Sequence, residues 1–143
     1  MAATKLPTKP VLTLAVARRM VDASVSHARE LGLALSIAVI DDGGHLLAFA
    51  RMDGIHVGTV DVSMAKARTA VLFKKPTAAF GEGLAGGALG ILAMPAIIPF
   101  EGGIPLLVEG HLVGAIGASG SSPDKDGAVS AAGVQALEKE LAS

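Results

Sequence analysis

The residues best suited to chemistry follow an apolar run, in the short segment RMDGIH, which holds Arg51, Asp53 and His56. An arginine can bind a carboxylate group with two parallel hydrogen bonds. An aspartate and a histidine in one loop can share a metal ion or transfer a proton. The pattern therefore predicts that Arg51 grips a carboxylate while Asp53 or His56 moves a proton. The structural alternative, which the short spacing favours, is an Arg51–Asp53 ion pair that holds the end of a strand.

Two further charged residues could join a site of this kind. Glu101 stands before a pair of glycines and could meet Arg51 in a pocket, although nothing in the sequence fixes the distance between them. Lys66 lies in the first half of a predicted helix, where it could join an anion-binding site or lie on a solvated face. We expect His45 and His111, which each follow a hairpin turn directly, to face solvent.

His27 is a different kind of candidate because it lies inside a predicted helix. At about 100° per residue it shares one arc with the apolar residues Val16, Met20, Ala23 and Leu31. A neutral imidazole among apolar side chains can serve as an axial ligand to haem iron. The alternative is a core or subunit-interface histidine bonded to a neighbouring polar group. The chain has no cysteine, so any haem would be bound non-covalently.

Two hairpins and several helices must position these residues. The stretch 33–54 carries two apolar runs around Asp41-Asp42-Gly43-Gly44, which predicts a hairpin that forms the central ladder of a sheet. A second hairpin is predicted over 104–119, with its turn at Glu109-Gly110. The predicted helices are Leu14–Leu31 capped by Thr13, Val60–Lys75 capped by Thr59, a short piece from Thr77 to Phe80, and one from Ser122-Pro123 to about Leu141. The five glycines between Gly81 and Gly90 predict a mobile loop.

The order of these elements predicts an α+β domain with an antiparallel sheet covered by helices. We expect a single domain over 12–143, preceded by a polar tail over 1–11. Hydrophobic residues make up 51% of the chain and charged residues 17%, which favours extra burial between subunits. The net charge of −1 and the absence of Trp and Tyr argue against a nucleic-acid partner. The N-terminal MAATKLPTKP lacks the apolar region of a signal peptide, and no apolar run is long enough for a membrane span, so we expect a cytoplasmic protein without a membrane partner.

Three strings, in this order and spacing, resemble the haem-binding, haem-degrading GlcG/HbpS-like family: SIAVIDDGGHLLAFARMDG, AKARTA and GGIPLLVEGHLVGAIGASG. The likeness covers about residues 12–142. It implies a profilin-like α/β/α fold, a homo-oligomer that is often an octamer, and weak to moderate haem binding. It also implies that His27 matches, by position, a first-helix histidine that binds haem in some members.

Three functional hypotheses follow. The first is an oligomeric haem-binding accessory protein in which His27 binds the iron and Arg51 and Lys66 contact the cofactor. The second is a lyase-type or isomerase-type enzyme that acts on a carboxylate metabolite through Arg51, Asp53, His56 and Glu101. The third is a structural role that needs only an apolar oligomer surface.

Overall fold

The computed structural model describes all 143 residues, and it confirms the predicted α+β class. The helices are α1 (Leu14–Glu30), α2 (Gly58–Phe73), α3 (Thr77–Ala85) and α4 (Pro123–Ala142), with a 3₁₀ helix at Leu89–Ala93. The strands β1 (Ser36–Asp41), β2 (Leu46–Arg51), β3 (Gly103–Val108) and β4 (His111–Ser119) form one antiparallel sheet. None of the helices combines the length and the apolar character that crossing a bilayer requires.

The sheet separates two helical layers. Helices α1 and α4 pack against each other and against one face of the sheet, while α2 packs against the other face. The larger core lies on the α1/α4 side and includes Met20, Ile37, Val39, Ile116 and Val129. The smaller core, on the α2 side, consists of Ile40, Ala67, Ala70, Val71 and Ala115. The three-layer arrangement is the one predicted.

The two strands of the first hairpin differ in their place in the sheet. The strand order is β2-β1-β4-β3, so β1 is interior and β2 is an edge. The prediction of a central ladder is therefore right for β1 and wrong for β2. The reason is that β1 also pairs with β4, from Ser36 opposite Ser119 to Asp41 opposite Gly114. Residues 36–40 are consequently buried on both faces, whereas no residue of β2 is fully buried.

The glycine-rich stretch over 81–90 is not the predicted mobile loop. Helix α3 continues through its first half, and a 3₁₀ helix follows. A Cβ atom on Gly81 would lie 2.9 Å from the carbonyl oxygen of Pro99, and one on Gly83 would lie 3.0 Å from Cδ1 of Ile91. These glycines therefore permit a close approach between α3 and the segment that follows it, at the cost of some helix propensity.

The helix ends differ from the prediction at α3, which continues to Ala85 and not only to Phe80, and at α2. Thr13 caps α1 as predicted, and Gly32 follows the helix in the left-handed conformation, with φ of +68°. Thr59 does not cap α2, because the helix already begins at Gly58; its hydroxyl group donates to the carbonyl oxygen of His56 instead. Helix α2 ends at Phe73, since the next residue adopts a positive φ.

Candidate functional site

His27 is the only one of the four histidines that the fold partly covers. The side chains of His45, His56 and His111 are exposed, which confirms the prediction for the two turn histidines. The His27 side chain is 36% exposed, at the border of the buried face of α1. That face consists of Ala17, Met20, Val21, Ser24 and Ala28. His27 thus lies beside the apolar stripe of the helix and not within it.

The imidazole of His27 has one nitrogen near a carboxylate and one nitrogen without a partner. Its Nδ1 lies 3.4 Å from Oε2 of Glu30, one helical turn further on. Its Nε2 makes no hydrogen bond within the chain. When Nδ1–H donates to a carboxylate, the lone pair of Nε2 is free to bind a metal, and the carboxylate makes that nitrogen a better ligand. A neutral imidazole held in this way fits the iron of a haem.

A cavity of about 460 Å³ lies on the other side of α1, between this helix and the end of β2. Its lining includes Val25, Arg29, Arg51 and Asp53. Val25 and Arg29 lie four residues apart on one helix face, whereas His27 lies about 200° round the axis from Val25. The structure therefore places His27 and Arg51 at different sites within one subunit.

Although Arg29 and Arg51 line the same cavity, the register of the sheet directs the Arg51 side chain towards the other face. Arg51 lies directly opposite Ser36, and opposed residues in an antiparallel pair project from the same face. The hydroxyl group of Ser36 lies 2.9 Å from that of Thr59 in α2. The side chain of Arg51 therefore belongs to the α2 face, while Arg29 belongs to the α1 layer. The Arg51–Asp53 ion pair that the spacing favoured is absent, so that interpretation is wrong.

Lys66 is buried, so the alternative of a solvated helix face is wrong. Its Nζ lies 2.9 Å from Oδ2 of Asp126 and 3.1 Å from the carbonyl oxygen of Ala118. The backbone N–H of Ser121 donates to the other carboxylate oxygen of Asp126. Burial raises the pKa of Asp126, and the ammonium group of Lys66 opposes that shift. The contacts of Lys66 are thus made inside the chain, and its contact with a cofactor stays a prediction from the sequence.

Asp126, the buried partner of Lys66, is a residue that the sequence analysis did not identify. The pattern of α4 does contain a sign of it. The buried residues of this helix recur with helical spacing: Asp126, Gly127, Val129, Ser130, Gly133 and Leu137. A carboxylate on such a stripe faces the core and therefore needs a cationic partner. The sequence does not say which lysine or arginine supplies it.

The four residues of the carboxylate hypothesis do not converge in one subunit. Glu101 lines two cavities at the start of α4, and its side chain fills the space where a Cβ atom on Gly127 would lie. Arg51 and Asp53 line the separate cavity beside α1, which includes neither Glu101 nor His56. No group of three histidine, aspartate or glutamate side chains is arranged to hold a metal ion.

The family resemblance of the three strings quoted above is confirmed by known proteins that match most of the chain. The family described as "Haem degrading protein HbpS-like" matches residues 12–135. The chain is 37% identical over 114 residues to Protein GlcG of Escherichia coli K12, an alignment that covers 80% of this chain and 85% of that protein.

Solved structures give the same relationship. A double mutant of HbpS from Streptomyces reticuli has a TM-score of 0.84 at 33% identity, with 96% of this chain and 95% of that chain covered. A complex of PduOC with haem has a TM-score of 0.81 at 24% identity, with 89% and 95% covered. At that lower identity the second likeness concerns the fold alone.

Proposed function

Since this chain belongs to the HbpS-like family of haem-degrading proteins, we propose that it is an oligomeric accessory protein that binds haem non-covalently. The axial ligand is Nε2 of His27. The family supports a haem-related role, and the partly exposed His27 beside Glu30 is the observation that supports giving the role to this residue. The haem complex solved for PduOC, which shares the fold, is consistent with the proposal.

The exposure of His27 supports a role for a second subunit in haem binding. A porphyrin has two broad faces, and both must leave water for most of its apolar surface to be buried. His27 is partly exposed at the border of the buried face of α1, so this helix can cover one face of the porphyrin only. We propose that a second subunit supplies the other wall, and that the assembly is the octamer implied by the family resemblance.

The other predicted cofactor contacts are not part of this proposal. The ammonium group of Lys66 is paired with Asp126, and the side chain of Arg51 projects from the sheet face opposite to the one that α1 covers. The cytoplasmic location likewise stays a prediction from the N-terminal sequence. The proposed site therefore consists of His27 and Glu30 in one subunit together with a neighbouring surface.

Titration with hemin tests the proposal directly. Wild-type protein is expected to shift the Soret band in a saturable manner, and His27→Ala is expected to give a different spectrum with weaker binding. His45→Ala is the matched control, because it removes an exposed imidazole beside a turn and leaves α1 unchanged. A His27→Ala protein with the wild-type spectrum and affinity would exclude His27 as the ligand.

A further inference from the structure

The two edges of the sheet are protected to very different degrees. Each edge strand has one irregularity in its pairing, β2 opposite Val39 and Ile40 and β3 between Leu106 and Leu107, but only β3 carries a proline, Pro105, which has no N–H group to offer. Strand β2 has no proline and no charged residue before Arg51. Monomeric proteins usually block such an edge, because its free backbone groups can pair with another strand. The edge at β2 is therefore the one open to a partner.

The hydrogen-bond pattern shows which groups of β2 face outwards. The N–H group of Met52 donates to the carbonyl oxygen of Leu35, so these residues form a hydrogen-bonded pair. Such pairs alternate with non-hydrogen-bonded pairs along an antiparallel ladder. Ala50 and Ala48 consequently bond to β1, while Phe49 and Arg51 direct their N–H and C=O groups away from the sheet. Two donors and two acceptors on this edge thus have no strand to pair with.

The side chains of the same two residues lie on a sheet face that no helix covers well. Phe49 lies opposite Ala38 and Arg51 opposite Ser36, so both project from the α2 face. Helix α2 packs mainly on β1, β3 and β4, which leaves β2 at its margin. Arg51 has no acidic partner within 4 Å in the chain. A partly buried aromatic ring and an exposed, unpaired guanidinium group are therefore adjacent at the margin of this face.

We propose that the partner at this edge is a second copy of the chain, whose β2 pairs antiparallel with this β2 across a two-fold axis. This inference rests on the homo-oligomer of the proposed function and names its surface. A two-fold axis at Ala50 places Phe49 of each copy opposite Arg51 of the other copy. Each outward N–H group then meets a C=O group, and each guanidinium group meets a phenyl ring in a cation–π contact. The edge is thus complementary to itself, as a two-fold interface requires.

Disulfide trapping tests this register, since the chain has no cysteine of its own. At the proposed axis the two Ala50 residues form a non-hydrogen-bonded pair, with Cα atoms about 4.5 Å apart, which a disulfide can span. Under mild oxidation Ala50→Cys is expected to give a covalent dimer in high yield. Leu107→Cys, on the exposed part of the other edge strand, is the control and is expected to stay largely uncrosslinked.

A second pair of variants tests whether the cross-link depends on hydrogen bonds between the two β2 strands or only on the two cysteines being close together. In the Ala50→Cys background, Phe49→Pro removes an outward N–H group without removing a bond to β1, and it is expected to abolish the cross-link. Phe49→Leu keeps that N–H group and is expected to retain most of the cross-link. An oligomeric wild type in which Ala50→Cys does not cross-link would overturn the interface and leave the proposed oligomer standing. A monomeric wild type, measured by analytical ultracentrifugation, would overturn both.

Discussion

Nζ of Lys66 lies 2.9 Å from Oδ2 of Asp126, and both side chains are only 3% exposed. The pair joins α2 to the first turn of α4, and the remaining bonding positions are used by Ala118 and Ser121. A buried ion pair adds little stability over an apolar pair, but a buried charge that has lost its partner is very unfavourable. The pair therefore fixes the relative position of the two helices.

Removal of the cation alone is expected to be severe. Lys66→Met leaves the carboxylate of Asp126 buried without its partner, and we expect the free energy of unfolding to fall by about 3–5 kcal/mol at neutral pH. Urea unfolding at a fixed protein concentration measures the change. The control is Lys66→Met combined with Asp126→Leu, which removes both charges and should recover most of the loss. Equal losses in the single and double variants would argue against an uncompensated charge.

The same pair predicts a dependence of stability on pH. Burial raises the pKa of Asp126 above 3.8 in the folded chain, so the folded state holds this proton more tightly than the unfolded state. The contribution of this group to stability is complete at pH values below 3.8, the pKa in the unfolded chain, and it is lost as the pH rises through the folded-state pKa. In Lys66→Met the ammonium group no longer lowers the pKa of Asp126. The folded-state pKa therefore rises further, and stability continues to fall up to a higher pH. The destabilisation by Lys66→Met should therefore be larger at pH 7 than at about pH 4, and an effect independent of pH would contradict this.

Gly117 is required by the contact between β4 and α2. A Cβ atom at this position would lie 2.1 Å from the carbonyl oxygen of Ser63 and 2.7 Å from the backbone nitrogen of Ala67. Gly117→Ala must push the helix away from the sheet, and we expect a loss of at least about 2 kcal/mol in thermal or urea unfolding. Gly90→Ala is the control, since its Cβ atom would meet nothing within 4 Å. Comparable stability of the two variants would contradict the close packing of α2.

Thr69 holds the segment that follows the 3₁₀ helix. Its buried hydroxyl group lies 2.9 Å from the carbonyl oxygen of Ala96 and accepts from the N–H group of Ile98 at 3.0 Å. Thr69→Val leaves that N–H group without its partner, and we expect a loss of about 1–3 kcal/mol and faster proteolysis over 94–100. Thr69→Ser keeps the hydroxyl group and should lose clearly less. Identical cleavage rates in both variants would show that the hydroxyl group does not anchor the segment.

Glu30 is expected to strengthen haem binding through His27. Glu30→Gln weakens the acceptor for Nδ1–H, and replacement of such supporting carboxylates typically costs about 10-fold to 100-fold in metal affinity. Competition for hemin with apomyoglobin gives the affinity. Glu138→Gln, a neutral substitution on the exposed face of α4, serves as the control. Unchanged affinity in Glu30→Gln would mean that the carboxylate does not orient the imidazole.

The sequence predicts most of the secondary structure because its turns and periodic patterns are local. Asp41-Asp42-Gly43-Gly44 and Glu109-Gly110 mark both hairpins, and Thr13 and Gly32 mark the ends of α1. The error at Gly81 and Gly83 has a physical cause, since a glycine selected for close packing in a helix looks the same as one selected for a loop.

The candidate site was harder to predict because it depends on contacts between distant parts of the chain. Lys66 and Asp126 are 60 residues apart, and only the fold shows that they meet. Arg51 and His27 are each visible in the sequence, but the pairing of Arg51 with Ser36 decides which face it occupies. The place of β2 at the edge depends in turn on the pairing of β1 with β4, which no local pattern reveals.

A crystal structure of the protein with bound hemin tests the central claim most directly. We expect the iron to be coordinated by Nε2 of His27, with Nδ1 bonded to Glu30 and the second face of the porphyrin covered by another copy of the chain. Coordination by a different residue, or a haem enclosed within one subunit away from α1, would contradict the account.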